Sequence, residues 1–192
     1  QGDVDWKRVK QANIDFVMLC ATFGWGNPNK VYDTRFQRQA AGAIDAGLHI
    51  GAYHCLFATT PEQSYREAEY FANVIKDVKL TYPVAVDVED RTLLSLQPKA
   101  LDSVLRMWCG YLREQGYYPM IRANLKTVLT RLNPKTLSKY DLWLISTGNK
   151  PEYDGHIGIW QYTNVGAVDG MRGRCACCRT THDYPNTLNE SE

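Results

Sequence analysis

The sequence predicts an α/β fold, a TIM-like β/α barrel of about five β/α units followed by closing strands without helices. Over the first two thirds of the chain, apolar strand-like runs alternate with segments of helical periodicity, which indicates a parallel sheet covered by helices. The helical patterns stop after residue 132, whereas strand-like runs continue. The main alternative is an open doubly wound sheet. No glycine-rich phosphate-binding motif follows any strand, which argues against a nucleotide-binding fold of that kind.

The first third of the chain is predicted to contain two helices and one strand. Asp5 is placed to cap a short helix over residues 6–12. Residues 14–21 form a continuous apolar run, which is typical of a buried parallel strand. A glycine-rich loop over residues 23–28 then leads to a second helix over residues 34–46.

The middle of the chain predicts two more strand–helix pairs. An apolar strand over residues 48–57 precedes a helix that Thr60 caps and in which Pro61 takes the first helical position. The next strand, residues 82–89, precedes the longest helix, which begins at Pro98 and carries apolar side chains on one face.

The last part of the chain changes character after one further strand–helix pair, predicted over residues 117–123 and 124–132. Two strands, residues 141–146 and 156–162, follow with no helical pattern between them. A short strand over residues 174–178 is expected to end the sheet. The barrel is therefore predicted to close by direct strand-to-strand connections.

The composition is that of one globular domain. We assign residues 1–185 to a single barrel domain and residues 186–192 to a polar C-terminal tail. Lys and Arg number 22 against 21 Asp and Glu, for a net charge of +1, so the chain lacks the positive field that nucleic-acid binding requires. No apolar run approaches the ~18 residues that span a membrane, and the polar first residues predict no signal peptide.

Two carboxylates end the predicted strand over residues 82–89. Alternate side chains of a strand share a face, so Asp87 and Glu89 are expected to point the same way at the carboxyl end of a parallel strand, where β/α barrels place their active sites. Paired carboxylates of this kind carry out glycoside hydrolysis. A solvated acidic strand end, extended by Asp90, and a site for a hard cation remain open at this point.

Polar and aromatic side chains end several other predicted strands. Tyr53 and His54 close the second strand, Asn124 follows the fourth, and Trp160 and Tyr162 lie on a late strand. Trp and Tyr offer flat apolar faces with a polar tip, which suit the CH faces and hydroxyl edges of sugars. The set predicts a sugar-binding rim, although a lone histidine after an apolar strand is more often structural.

Six cysteines give no clear redox compartment. Cys20, Cys55 and Cys109 lie in apolar runs, where cysteine behaves as a small hydrophobe. Cys175, Cys177 and Cys178 crowd between two arginines, a spacing that leaves open a metal site or thiols whose pKa is lowered by the neighbouring charge.

Six segments together resemble glycoside hydrolase family 25, the N-acetylmuramidases of the bacterial lysozyme and phage endolysin kind. The segments are residues 1–6 (QGDVDW), 14–17 (IDFV), 33–36 (DTRF), 46–54 (AGLHIGAYH), 87–89 (DVE) and 159–163 (IWQYT). The resemblance extends from residue 1 to about residue 173. Each segment is weak by itself, but the ordered set is specific.

The resemblance implies a barrel of five β/α units and three closing strands that hydrolyses the β-1,4 bond between N-acetylmuramic acid and N-acetylglucosamine. Glu89 would match the general acid, and Asp87 the carboxylate that steadies the substrate's N-acetyl group while that group assists the reaction. The expected substrate-binding residues are Tyr53, His54, Trp160, Tyr162, Asn124 and Arg122.

The resemblance also implies a setting for the protein. Bacterial peptidoglycan is the expected partner, with no metal or organic cofactor, no nucleic acid and no membrane. We expect a monomer that is secreted or encoded by a phage as an endolysin.

Several positions depart from the family pattern at the predicted strand ends. The family has an aspartate-bearing strand before the Gln-Gly pair with which this sequence opens, so an open sheet edge is expected. Ala176 stands where the family has a second pocket aspartate, Arg122 where a tyrosine is favoured and Cys20 where a basic residue is common. Three interpretations follow: a muramidase, a muramidase-like scaffold that binds cell-wall glycan with a lost or thiol-rebuilt site, and a metal-binding module.

Overall fold

The computed structural model describes residues 3–25, 35–149 and 151–189. Part of the predicted glycine-rich loop and Thr34 lie outside these residues. The helices are α1 (Trp6–Gln11), α2 (Phe36–Asp45), α3 (Pro61–Ile75), α4 (Arg91–Leu94), α5 (Pro98–Glu114), α6 (Leu125–Arg131), α7 (Pro134–Leu137) and α8 (Tyr184–Asn189). The strands are β1 (Phe16–Phe23), β2 (His49–Cys55), β3 (Val84–Asp87), β4 (Pro119–Asn124), β5 (Asp141–Ile145), β6 (Ile159–Gly166) and β7 (Cys175–Arg179).

The seven strands form one curled sheet in chain order, from β1 to β7. Strands β1 to β6 are parallel, and β7 pairs with β6 in the antiparallel direction. Within the described residues no helix lies between β5 and β6 or between β6 and β7. The predicted barrel-like fold, with strands that follow one another directly at its end, is confirmed.

The sheet is open between its first and last strands. Over the described ranges β1 pairs with β2 alone and β7 with β6 alone. A cavity of about 980 Å³ occupies the interior and reaches this gap, with side chains from both edge strands in its lining. The predicted open edge is therefore present.

Strand alternation divides the sheet residues between an inner and an outer layer. On β3, Val84 and Val86 pack in the large core between sheet and helices, where Trp108 of α5 is fully buried. Ala85 belongs to the inner cluster, together with Trp143 and other large side chains. Asp87, two residues after Ala85, accordingly falls on the inner face.

Local signals explain most helix ends. The Asp5 side chain accepts a hydrogen bond from Arg8 N at 3.1 Å, and Thr60 caps α3 as predicted. Three short helices, α4, α7 and α8, were not predicted. Asp90, expected to extend an acidic strand end, caps α4, and Asn133 caps α7. Helix α8 begins at Tyr184, whose ring is fully buried, and extends into the segment expected to be a polar tail.

Two glycines are expected to respond oppositely to alanine. At Gly51 a Cβ would lie 2.5 Å from Met18 Sδ and 2.6 Å from the carbonyl oxygen of Pro83, so Gly51→Ala should destabilise the fold by about 1–3 kcal/mol. At Gly110, inside α5, nothing lies within 4 Å of the added carbon, so Gly110→Ala should stabilise by about 1 kcal/mol. Urea unfolding measures both, and a neutral Gly51→Ala would contradict the tight packing of β2.

Within the described ranges, no helix combines the length and the apolar character that crossing a bilayer demands.

Candidate active site

Glu89 is held just beyond the carboxyl end of β3. The Val88 backbone N–H donates to the Arg122 carbonyl, which extends the ladder between β3 and β4 past the end of β3. Asn124 then donates to Glu89 Oε1 from its backbone nitrogen and from Nδ2, each at 2.9 Å, and from Nδ2 to Oε2 at 3.0 Å. The Asn124 side-chain oxygen accepts from Thr127 N at the start of α6, which fixes the orientation of the amide. Glu89 is exposed, so its carboxyl group is accessible.

Asp87 lies deeper and is charge-paired. Arg122 Nη1 is 2.7 Å from Oδ1, and the Cys55 thiol donates to Oδ2 at 3.8 Å. The Asp87 side chain is 12% exposed. Burial raises the pKa of Asp87 above its usual value, the positive charge of Arg122 opposes that rise, and the negative charge of Glu89 adds to it.

Arg122 connects Asp87 to the interior cavity. Its Nη2 donates to Gln161 Oε1 at 3.1 Å, and its guanidinium carbon lies 4.8 Å from the Trp143 ring centroid and 5.7 Å from that of Tyr53. Arg122, Tyr53 and Gln161 all line the cavity, whereas Asp87 and Glu89 sit at the strand ends outside its lining.

Gln161 is a site residue that the sequence reasoning missed. It is only 2% exposed and faces inward between Trp160 and Tyr162. Its place on the same strand, between the predicted rim residues Trp160 and Tyr162, was the available signal.

Tyr53 and His54 point to opposite faces of the sheet. The Tyr53 ring packs edge-on against Trp143 with centroids 5.7 Å apart, and burial raises the pKa of its hydroxyl above the usual value. His54 is fully buried on the helix side, where Nδ1 and Thr22 Oγ1 are 2.6 Å apart and Nε2 and Glu67 Oε2 are 2.7 Å apart. The structure therefore does not bring His54 to the candidate site, and its role is structural.

The late-strand aromatics lie at the border of the site. Trp160 Nε1 donates to the Ser146 carbonyl at 2.8 Å, and the Trp160 and Tyr162 ring centroids are 5.9 Å apart. Tyr162 lines the cavity, and the guanidinium carbon of Arg179 lies 4.7 Å from the Tyr162 ring centroid.

The structure supports neither a metal site at the cysteines nor a lowered thiol pKa at Cys175 and Cys178. In the described part of the chain no three His, Cys, Asp or Glu side chains are arranged to hold a metal. Burial raises the pKa of Cys175 to about 11 and of Cys178 to about 12, so the neighbouring arginines do not make them reactive.

A thiol-rebuilt site would pair Cys20 or Cys55 with His54, and the structure does not form that pair. A hydrogen bond with Cys20, together with burial, raises the pKa of Cys55 far above its usual value, and the thiol points to Asp87. Both nitrogens of His54 are engaged on the other face of the sheet, so His54 is not placed to activate either thiol.

A curled β/α sheet with two carboxylates at the end of one strand is the arrangement of a barrel glycoside hydrolase. The chain belongs to glycosyl hydrolases family 25, whose sequence profile matches residues 1–171.

Named relatives agree with this assignment. The autolytic lysozyme of Clostridium acetobutylicum is 32% identical over 174 residues, which cover 90% of this chain and 51% of that protein. The chain therefore spans about half the length of that relative. Two solved structures share the fold. The CTP1L endolysin matches with a TM-score of 0.84 and 20% identity, covering 100% of this chain and 67% of that one. The bacterial lysozyme from Streptomyces coelicolor matches with a TM-score of 0.82 and 20% identity, covering 100% of this chain and 94% of that one.

Proposed function

We propose that this chain hydrolyses the β-1,4 bond between N-acetylmuramic acid and N-acetylglucosamine in bacterial peptidoglycan. The observation that carries the proposal is the placement of the two carboxylates at the end of β3, one accessible and one buried against an arginine. Glu89 is exposed and held by Asn124 through 2.9 Å hydrogen bonds, while Asp87 is paired with Arg122 at 2.7 Å. Membership of the family supports it.

The two carboxylates take different roles. Glu89 donates its proton to the glycosidic oxygen as the bond to the leaving sugar breaks, and the acetamido oxygen of the substrate attacks the anomeric carbon. The hydrogen bonds from Asn124 then stabilise the carboxylate that the proton leaves behind. Water opens the cyclic intermediate while Glu89 takes a proton back.

Asp87 acts as an anion in this scheme. Its carboxylate steadies the N–H of the acetamido group as positive charge develops on it, which requires that Asp87 be ionised. Burial opposes ionisation, and the Arg122 guanidinium favours it. Tyr53, Trp160, Tyr162 and Gln161 border the substrate.

The setting follows from the same substrate. We propose peptidoglycan as the macromolecular partner, with no nucleic acid or membrane partner. The chain would act as a monomer on the cell wall, either as a secreted enzyme or as a phage-encoded endolysin.

The decisive experiment separates hydrolysis from binding. The chain is incubated with purified bacterial cell walls, and the loss of turbidity and the appearance of new N-acetylmuramic acid reducing ends are measured together. Both are expected. Sedimentation of the chain with the walls without new reducing ends would contradict hydrolysis and favour the glycan-binding scaffold.

Replacing Arg122 should shift the pH dependence of the reaction. Arg122→Gln removes the positive charge that counteracts the effect of burial on the pKa of Asp87. The pKa of Asp87 therefore rises further, and the carboxylate is protonated at a higher pH. The acidic limb of the kcat/KM profile should therefore move to higher pH, and less so for Arg122→Lys, which keeps a charge. An acidic limb that stays in place or moves to lower pH would show that ionised Asp87 is not required.

A further inference from the structure

An exposed phenylalanine stands beside the acid on the rim of the sheet. The register of β2 and β3 aligns Cys55 with Asp87. The Leu56 backbone N–H donates to the Asp87 carbonyl at 3.3 Å, so the parallel arrangement continues past the strand ends. Phe57 and Glu89 each follow this aligned pair by two residues, so both lie on the rim just beyond the ends of neighbouring strands.

A tryptophan extends the row by one more strand. The register of β1 and β2 aligns Phe23 with Cys55, and the Gly24 backbone N–H donates to the Cys55 carbonyl at 2.9 Å. Trp25 follows directly and is 55% exposed, and Phe57 is 49% exposed. The row from Trp25 to the acid thus spans about 10 Å, two strand spacings, which is comparable to the length of a disaccharide.

Phe57 is fixed in this exposed position by two features. Its backbone N–H donates to Glu67 Oε2 at 3.1 Å, which ties it to a buried carboxylate. Its ring covers the backbone at Gly24, where an added Cβ would collide with the ring carbons and where φ is +50°. A side chain at residue 24 would displace the ring, so glycine there permits the close approach.

Trp25 is also supported. The Arg66 guanidinium of α3 lies 5.2 Å from the Trp25 ring centroid, a cation–π contact on one side of the ring. Both aromatic side chains are therefore anchored by α3 while leaving apolar surface in solvent. Two exposed aromatic residues on neighbouring strand ends, beside an accessible carboxylate, offer apolar ring surface to a ligand, and the apolar CH face of a pyranose ring is a matching surface.

We propose that Phe57 and Trp25 form a glycan-binding subsite for the sugar units on the β1–β2 side of the bond that Glu89 cleaves. The inference rests on the proposed function and adds to it the direction in which the glycan chain lies across the strand ends. Asn124 then marks the opposite side of the acid in the same row.

The test measures binding separately from turnover. In the Glu89→Gln background, a soluble tetrasaccharide of alternating N-acetylglucosamine and N-acetylmuramic acid is titrated calorimetrically into the parent, Phe57→Ala, Trp25→Ala and Tyr65→Ala. Tyr65 is the matched control: an exposed aromatic of α3 that packs against Tyr111 with ring centroids 5.1 Å apart.

Each rim substitution should raise the Kd by about 2- to 12-fold, and the control should leave it unchanged. Unchanged Kd values for Phe57→Ala and Trp25→Ala would overturn the subsite, as would equal losses for Tyr65→Ala. Thermal melts check folding. Tetrasaccharide binding should also change tryptophan fluorescence less in Trp25→Phe than in the parent, which tests the site without truncating the side chain to alanine.

The two proposals fail in distinguishable ways. New reducing ends released from cell walls by the chain with native Glu89, together with unaffected binding in both rim variants, would refute the subsite alone. Absence of hydrolysis by the chain with native Glu89, together with absence of tetrasaccharide binding by the Glu89→Gln parent, would refute the proposed function and the subsite with it.

Discussion

Glu89→Gln is expected to lower peptidoglycan hydrolysis by about 10²–10⁴-fold, the usual contribution of a positioned general acid. An amide has nearly the same shape as the acid and can keep hydrogen bonds to Asn124, but it cannot transfer a proton to the glycosidic oxygen. Release of reducing ends under single-turnover conditions isolates this step from binding. The loss should appear in kcat with little change in KM, because the variant still binds the glycan.

Two comparisons make the result specific to Glu89. Glu114→Gln removes an exposed carboxylate at the end of α5 and should leave the rate unchanged. Tyr162→Phe removes one hydroxyl at the border of the site and should cost about 1 kcal/mol, roughly fivefold. Equal modest losses for Glu89→Gln and Tyr162→Phe would show that Glu89 is not the acid.

The acidic pair was predictable from sequence because it depends on short-range geometry. An apolar run fixes β3 as a buried parallel strand, its alternation puts Asp87 on the inner face, and the barrel architecture puts the strand end at the active face. The predicted strand ran to Glu89, whereas β3 ends at Asp87. The acid is therefore held by hydrogen bonds from Asn124 and not by the sheet ladder.

Groups that depend on a distant partner were not predictable. Alternation puts Tyr53 and His54 of β2 on opposite faces, but which of the two faces the helices depends on how β2 packs against α3, where Glu67 pairs with His54. The arginine next to Cys178 suggested a lowered thiol pKa, but burial within the folded sheet raises it. Arg122 was expected at the site, yet its pairing with Asp87 and Gln161 depends on the register of three strands.

Glu67→Ala is expected to destabilise the protein by about 2–6 kcal/mol, because it leaves two donors without an acceptor at about 1–3 kcal/mol each. The Glu67 side chain is 4% exposed, and its Oε2 accepts from both His54 Nε2 at 2.7 Å and the Phe57 backbone N–H at 3.1 Å. Alanine leaves both groups buried or half-buried without an acceptor. The His54 ring cannot turn away to find another, because Trp108 stacks on it and Phe71 packs against it.

Urea unfolding with linear extrapolation measures the loss, and Glu69→Ala, an exposed residue one half-turn along the same helix, is the matched control. That control should change stability by no more than about 0.5 kcal/mol. Glu67→Gln keeps one acceptor oxygen and should lie between the two. Equal stabilities for Glu67→Ala and Glu69→Ala would mean that the buried pair adds nothing to the fold, and the fixed position of Phe57 on the rim would then need another support.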